Sequence, residues 1–474
     1  MTLPKPPEPL KAPEPPKAPY PHRWAVLAVV LAAEVMDLLD ATITGVAAPA
    51  IAADLGGGRE TAQWLQAGYT LPFAVLLITA GRLGDRYGRR RLFLLGAAGF
   101  TLASVLCAAA PGPAWLVAAR AAQGAAGALL LPQGFGIVKE TFEGPEQARA
   151  FGLFGPVMGV CAVGGPVLGG LLAGADLFGT GWRLVFLVNL PLGLAALAGA
   201  VHWIPRTVPD GGARLDVPGM LLAGAASGAL VYPLVQGREL GWPAWSIALA
   251  AAGPLGFWLF ARHQRRRPSP LVAPTLLANR GYTGGIAVAV AFFAAFTGLM
   301  LVLSLFLQGP LGLSPEGAGY SVAPLALGIA LTAGPAGGLA RKHGRLVIQA
   351  GIVLSALGLG LLAATAGGAV DGWRLLPGTF VTGLGMGLVI PPLFDVILAG
   401  VADHEVGSAS GVLNAVQQLA NAVGVALLVT VWSAFTDHGR GPGAALGGTA
   451  LATAGLLAVA LLLSVRLPRT ARAQ

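Results

Sequence analysis

The stretch LAAEVMDLLDATITGVAAPAI, residues 31–51, is apolar enough to cross a bilayer, yet it carries Glu34, Asp37 and Asp40. An ionised carboxylate at the bilayer centre costs roughly 2.5–3.5 kcal/mol on the insertion scale. At i, i+3 and i+6 the three acids fall within about 120° of one helical face, over roughly 9 Å of axis. That face must meet protein or water rather than lipid. Charge there is costly and a proton removes the cost, so the trio reads as a proton and cation path along one cavity wall. Carboxylates paired purely for packing would need cations, and the chain offers one intramembrane Arg for three acids.

That cation is Arg120, in LVAARAAQGAAGALL. A buried guanidinium stays charged, and protonation of an acid beside it would weaken their attraction and turn proton uptake into motion. Asp395, in LVIPPLFDVILAG, is a further candidate for coupling; Pro391-Pro392 is expected to break its helix, and a solvated terminal carboxylate is the other reading. In GRLGDRYGRRR an acid sits inside a strongly basic loop. Asp85 there is expected to dock on a helix N-terminus, with Ser408 of VGSASGVLN as the partner cap. FGPVMGVCAVGGPVLGGLL combines Gly and Pro at a density that weakens a helix but permits close approach and bending.

Other chemistry is missing. The sequence has no GK[ST] phosphate loop, no Ser-His-Asp set and no metal-ligand spacing. The expectation is therefore a non-enzyme without metal or cofactor, driven by a proton gradient. Cys107 and Cys161 stand alone in apolar stretches and read as two small buried thiols.

Composition fixes the setting. The chain is 55% hydrophobic and 11% charged, against roughly 25% charged in soluble domains. The net charge of +9 lies in short clusters between apolar stretches, which argues against nucleic acid. Fourteen candidate spans follow: 24–51, 61–81, 91–110, 114–138, 147–173, 182–203, 216–235, 244–262, 281–307, 317–340, 345–366, 375–400, 406–433 and 446–466. With the N-terminus inside, 24 of the 30 Lys and Arg residues fall on the inner side and five on the outer. That asymmetry requires an even helix count and both termini cytoplasmic. GRLGDRYGRRR after the second span and GGLARKHGR after the tenth suggest two parallel repeats. The expected organisation is a Pro-rich disordered tail (1–22), a six-helix bundle (23–205), two inserted helices (206–266), a second six-helix bundle (267–466) and a short tail (467–474).

These features together resemble the major facilitator superfamily, in its fourteen-helix drug:proton antiporter branch. GRLGDRYGRRR is similar to motif A, with Gly81, Asp85, Gly88, Arg89 and Arg90 in place. LVAARAAQGAAGA resembles motif B, giving Arg120 and Gly124. GVCAVGGPVLGG resembles the antiporter motif C through Gly165, Pro166, Gly169 and Gly170. LDATITGVAAPAI resembles the branch's first-helix signature, with Asp40 and Pro49, and WRLVFLVNLPLG its sixth-helix motif. Cys161, Gly45 and Asn421 depart from those patterns, and Glu34 and Asp37 lie outside them.

The resemblance implies an all-α membrane protein, two six-helix bundles plus two inserted helices, that exports lipophilic, often cationic, organic compounds against protons by alternating access. Its expected setting is the cytoplasmic membrane, as a monomer surrounded by lipid. A dedicated exporter of one natural product, and a non-transporting membrane sensor, are the alternative readings.

Overall fold

The computed structural model describes residues 20–143, 146–147, 149–150, 153–174, 179–206, 216–237, 240–267, 270–366, 372–399, 401 and 406–467. The Pro-rich tail before Tyr20 and the tail after Leu467 lie outside the described residues.

The described residues form long helices joined by short turns. They are α1 (Arg23–Asp54), α2 (Arg59–Tyr87), α3 (Arg89–Ala108), α4 (Pro113–Thr141), α5 (Phe154–Gly174), α6 (Asn189–Trp203), α7 (Val217–Gln236), α8 (Ala244–Gln264), α9 (Arg280–Gln308), α10 (Pro315–His343), α11 (Arg345–Thr365), α12 (Gly372–Leu398), α13 (Val406–Asp437) and α14 (Pro442–Ser464). Among the described residues, eleven helical segments are long and apolar enough to cross a membrane. Of the other three helices, α1 carries the acid trio, α2 ends in the basic stretch, and several α5 side chains lie outside the described set. Asn279 caps α9 by accepting from the Gly281 and Tyr282 amides at 2.9 and 3.1 Å, and Ser314 caps α10 from the Gly317 amide at 3.1 Å.

The contact pattern repeats. α2–α4, α3–α4, α1–α5, α1–α6 and α3–α6 pack together, and so do α10–α12, α11–α12, α9–α13, α9–α14 and α11–α14. Between the two sets, α5 packs on α10, α2 on α13 and α1 on α9, which is the pattern of a two-fold relation. An arginine at the start of the third helix in each set makes the same kind of bond. Arg90 donates to the Val201 carbonyl at 2.5 Å, and Arg345 to those of Val465 and Leu467 at 2.7 and 3.1 Å. Each thereby occupies carbonyls at a helix C-terminus, where a cation is favoured.

Two expectations need correction. The basic stretch after the second span is helix rather than loop: α2 runs on to Tyr87, and only Gly88, at φ +93°, turns the chain into α3. Glycine adopts that left-handed backbone without the Cβ clash other residues meet. Likewise α12 continues through Pro391 and Pro392 to Leu398. Proline inside a membrane helix is tolerated where neighbouring helices and local adjustment satisfy the freed carbonyls.

α7 and α8 are held by a polar cluster that sequence reading missed. α7 packs on both α2 and α13, and α8 packs on α7. Buried Asp216 caps α7, accepting from the Gly219 amide at 3.1 Å, His263 Nε2 at 2.9 Å and Gln264 Nε2 at 2.9 Å. Gln264 Oε1 accepts in turn from the Leu271 and Val272 amides at 2.5 and 3.3 Å, and Arg82 of α2 donates to the Pro270 carbonyl. Burial opposes ionisation of Asp216, but the donors from His263, Gln264 and Gly219 outweigh it and hold the carboxyl below its ordinary value. The stability this contributes is complete above the ordinary Asp value of about 3.9 and is lost as pH falls through the lower folded value. Gln264→Ala leaves two linker amides and one carboxylate short of a partner, each costing about 1–3 kcal/mol. Hydrogen exchange at Leu271 and Val272 is therefore expected to accelerate at least tenfold, while exchange in α3 stays as in the wild type. Unchanged protection of those two amides would show that the linker is held by other means.

Candidate functional site

Asp40 and Arg120 meet. Both are fully buried, and Arg120 Nη1 donates to Asp40 Oδ2. The other carboxylate oxygen accepts from Gln123 Nε2 and Asn189 Nδ2, both at 2.7 Å. Gln123 stands three residues beyond Arg120 on α4, so both present to α1 together. Arg120 Nη1 also donates to Gln123 Oε1 at 2.7 Å, and its Nε to the Leu65 carbonyl of α2 at 3.1 Å. Its guanidinium lies 4.3 Å over the Tyr69 ring, a cation–π contact that strengthens away from water. Ser104 of α3 accepts from Gln123 Nε2 at 2.9 Å and Asn189 Nδ2 at 3.3 Å. Five helices, α1, α2, α3, α4 and α6, thus converge on one carboxylate.

The acids of α1 divide. Asp40 turns into the packed interior and has no exposure, so the expectation of three acids on one cavity wall fails for it. One turn earlier, Asp37 is partly exposed and accepts from the Tyr69 hydroxyl. Tyr69 therefore links the two acids: its hydroxyl meets Asp37, and its ring lies against the cation that holds Asp40. Glu34 is buried, and among the described residues it has neither a hydrogen bond nor an ion-pair partner. Gly124 lets α2 and α4 approach this closely, since a Cβ there would lie 2.1 Å from the Tyr69 carbonyl oxygen.

Motif C forms the seam between the sets. A Cβ on Gly165 would strike Thr42 at 2.0 Å and one on Gly169 the Ile43 backbone at 2.9 Å, both on α1. On the other side, a Cβ on Gly170 would lie 2.6 Å from the Pro315 carbonyl oxygen of α10, and the Pro166 carbonyl faces Gly319. Small residues here bring backbones together across the seam. The same end of the bundle, opposite the start of α1 and the end of α14, is closed by further bonds. The Val46 carbonyl of α1 accepts from Ser304 Oγ at 2.9 Å and Gln308 Nε2 at 2.7 Å, both on α9. Arg59 of α2 donates to Thr436 of α13 at 3.1 Å and lies 4.5 Å over the Trp432 ring.

The remaining candidates are spread along the terminal end. Arg89 pairs with Glu140 of α4 at 3.0 Å, and Gly81 lies against Pro132. The side chains of Asp85 and Ser408, and hence their docking, lie outside the described residues. Asp395 is exposed near the end of α12 and does not join the Asp40–Arg120 group. Cys107 and Cys161 are free and buried, as expected. Gln123, Asn189, Ser104 and Tyr69 were missed as site residues. An amide at Arg120+3 in an apolar helix was a signal for Gln123, and Asn189 lay within the sixth-helix motif.

With this geometry in hand, comparison with known proteins decides the family. Residues 30–425 match the family model described as Major Facilitator Superfamily. The chain belongs to that superfamily. Members are membrane transporters rather than enzymes. This member is 49% identical over 422 residues to the "Probable actinorhodin transporter" of Streptomyces coelicolor, covering 87% of this chain and 72% of the relative. It is 38% identical over 441 residues to the "Puromycin resistance protein pur8" of Streptomyces alboniger, covering 90% and 86%. A solved POT family transporter in complex with a thioalcohol-conjugated peptide superposes with TM-score 0.67 at 15% identity, over 93% of this chain and 96% of that one. That likeness supports the all-α transporter fold alone.

Proposed function

We propose that this protein exports small organic, lipophilic and often cationic compounds across the cytoplasmic membrane in exchange for protons. The observation that carries the reading is the division of the α1 acids. Arg120 balances Asp40, whereas Glu34 and Asp37 face no cation among the described ion pairs. A carboxylate without a cation, buried like Glu34 or only partly exposed like Asp37, favours taking either a proton or a cationic ligand, and that competition is the coupling. In this reading all fourteen helices cross the membrane, with both termini cytoplasmic. Residues 23–205 and 267–466 rock about the motif C seam, residues 206–266 are inserted, and the monomer sits in lipid and uses the proton gradient without a cofactor. Motif A, with Gly81, Asp85, Gly88, Arg89 and Arg90, steadies the end opposite the seam.

The names of the two relatives, each tied to one antibiotic, favour a second reading in which a single natural product is the cargo. Efflux of a compound panel from vesicles separates the two, because one product moves in that case and several in the other. The central test uses a monovalent and a divalent dye at two values of pH. Glu34→Gln and Asp37→Asn are expected to weaken efflux of the divalent dye at least fivefold more than that of the monovalent dye. Equal losses for both dyes would remove the charge-sensing role.

A further inference from the structure

We infer that the inserted helices form one wall of a second binding chamber, for a neutral, planar aromatic compound; this rests on the export reading above. A cavity of about 240 Å³ lies between α2, α7, α8, α9 and α13. It therefore touches both six-helix sets and the insert. Phe257 and Phe260 of α8 and Tyr282 of α9 supply ring faces, and Val416 of α13 and Ala223 of α7 complete an apolar lining without a charged residue. The hydroxyls of Tyr282 and of Thr283, which also lines the cavity, are already committed to the Ala409 carbonyl at 2.7 Å and the Asn279 carbonyl at 3.0 Å.

Ser227 of α7 differs from the rest of the lining. It is 4% exposed, and among the described residues its hydroxyl has no hydrogen-bond partner. A hydroxyl on the cavity wall can donate to or accept from a ligand inside. Apolar walls with a few placed polar groups are the usual make-up of a small-molecule site. The absence of charge selects a neutral ring system, unlike the carboxylates of α1. The chamber's place beside α2 and α13, which belong to different sets, makes its shape depend on how those sets are disposed. The insert thereby gives lipophilic cargo a holding site of its own, separate from Glu34 and Asp37.

The test uses Ser227→Cys in lipid nanodiscs, with Cys107 and Cys161 buried and giving little background. The rate of alkylation by N-ethylmaleimide is measured with N-phenyl-1-naphthylamine, and separately with tetramethylammonium as the charged control. The amine is expected to slow alkylation at least fivefold and tetramethylammonium to leave it alone. In vesicles, Ala223→Phe, which fills the chamber, is expected to raise KM for the amine at least fivefold relative to KM for tetramethylammonium. No protection of Ser227→Cys by the amine, where the wild type exports the amine, would overturn the chamber and leave the export reading standing. Protection in a protein that moves neither compound would support the chamber and overturn export. A phospholipid that native mass spectrometry finds on the wild type and not on Ala223→Phe would make the occupant a lipid and overturn the inference.

Discussion

Asp40→Asn is expected to abolish efflux of every substrate and to destabilise the protein by about 3–5 kcal/mol, the cost of leaving a fully buried cation without its partner. Arg120 is 0% exposed, and Asp40 is its ion-pair partner. The two buried thiols provide the readout, since a thiol-reactive fluorophore reports their exposure on heating. Asp40→Asn/Arg120→Gln removes both charges and is expected to recover most of the thermal stability without recovering transport. Arg120→Lys is expected to rescue only partly. A lysine cannot serve Asp40, Gln123 and the Leu65 carbonyl together while lying flat on Tyr69. If Asp40→Asn pumps at the wild-type rate, the pair is a packing device and no more.

Gly170→Leu carries the second large effect. A Cβ at this position already lies 2.6 Å from the Pro315 carbonyl oxygen and 3.0 Å from Gly319 Cα. Overpacking costs about 1–3 kcal/mol, and here it falls on the arrangement in which α5 and α10 touch. At about 1.4 kcal/mol per factor of ten, the sealed state loses roughly 5- to 150-fold in population. Export is expected to fall at least tenfold although the protein still inserts. A cysteine placed at Ser304, buried where α9 meets α1, should become accessible to a membrane-impermeant thiol reagent in Gly170→Leu and stay protected without it. Equal protection in both backgrounds would show that the seam does not govern closure.

The fold was largely legible because its signals are local. Apolar length gives the helices, and the asymmetry of Lys and Arg gives an even number of them without reference to hydropathy. What the sequence hid was continuity. GRLGDRYGRRR looks like a loop because glycine and charge break helices in water, yet α2 passes through it, since Gly84 lies against Gln133 of α4 and packing stabilises the last turns. The site was legible in part. Acids and an arginine in apolar helices are costly enough to stand out, and Arg120 does meet an acid. Which acid it meets depends on helix rotation and tilt, which a 3.6-residue period does not fix. Asp37 and Asp40 share a face in projection, but one meets the Tyr69 hydroxyl and the other the Arg120 guanidinium that lies on the Tyr69 ring. The Asp216–His263–Gln264 cluster was hidden for a different reason: its members come from opposite ends of the insert and meet only through the pairing of α7 with α8.

Competition of cation and proton for the carboxylates of α1 can be measured without any transport. Ethidium is added to purified protein in weakly buffered detergent near neutral pH, and proton release is recorded beside binding. The wild type is expected to release protons in step with ethidium bound, Glu34→Gln and Asp37→Asn fewer, and Glu34→Gln/Asp37→Asn none. Saturable ethidium binding by the wild type without release of protons would contradict that competition.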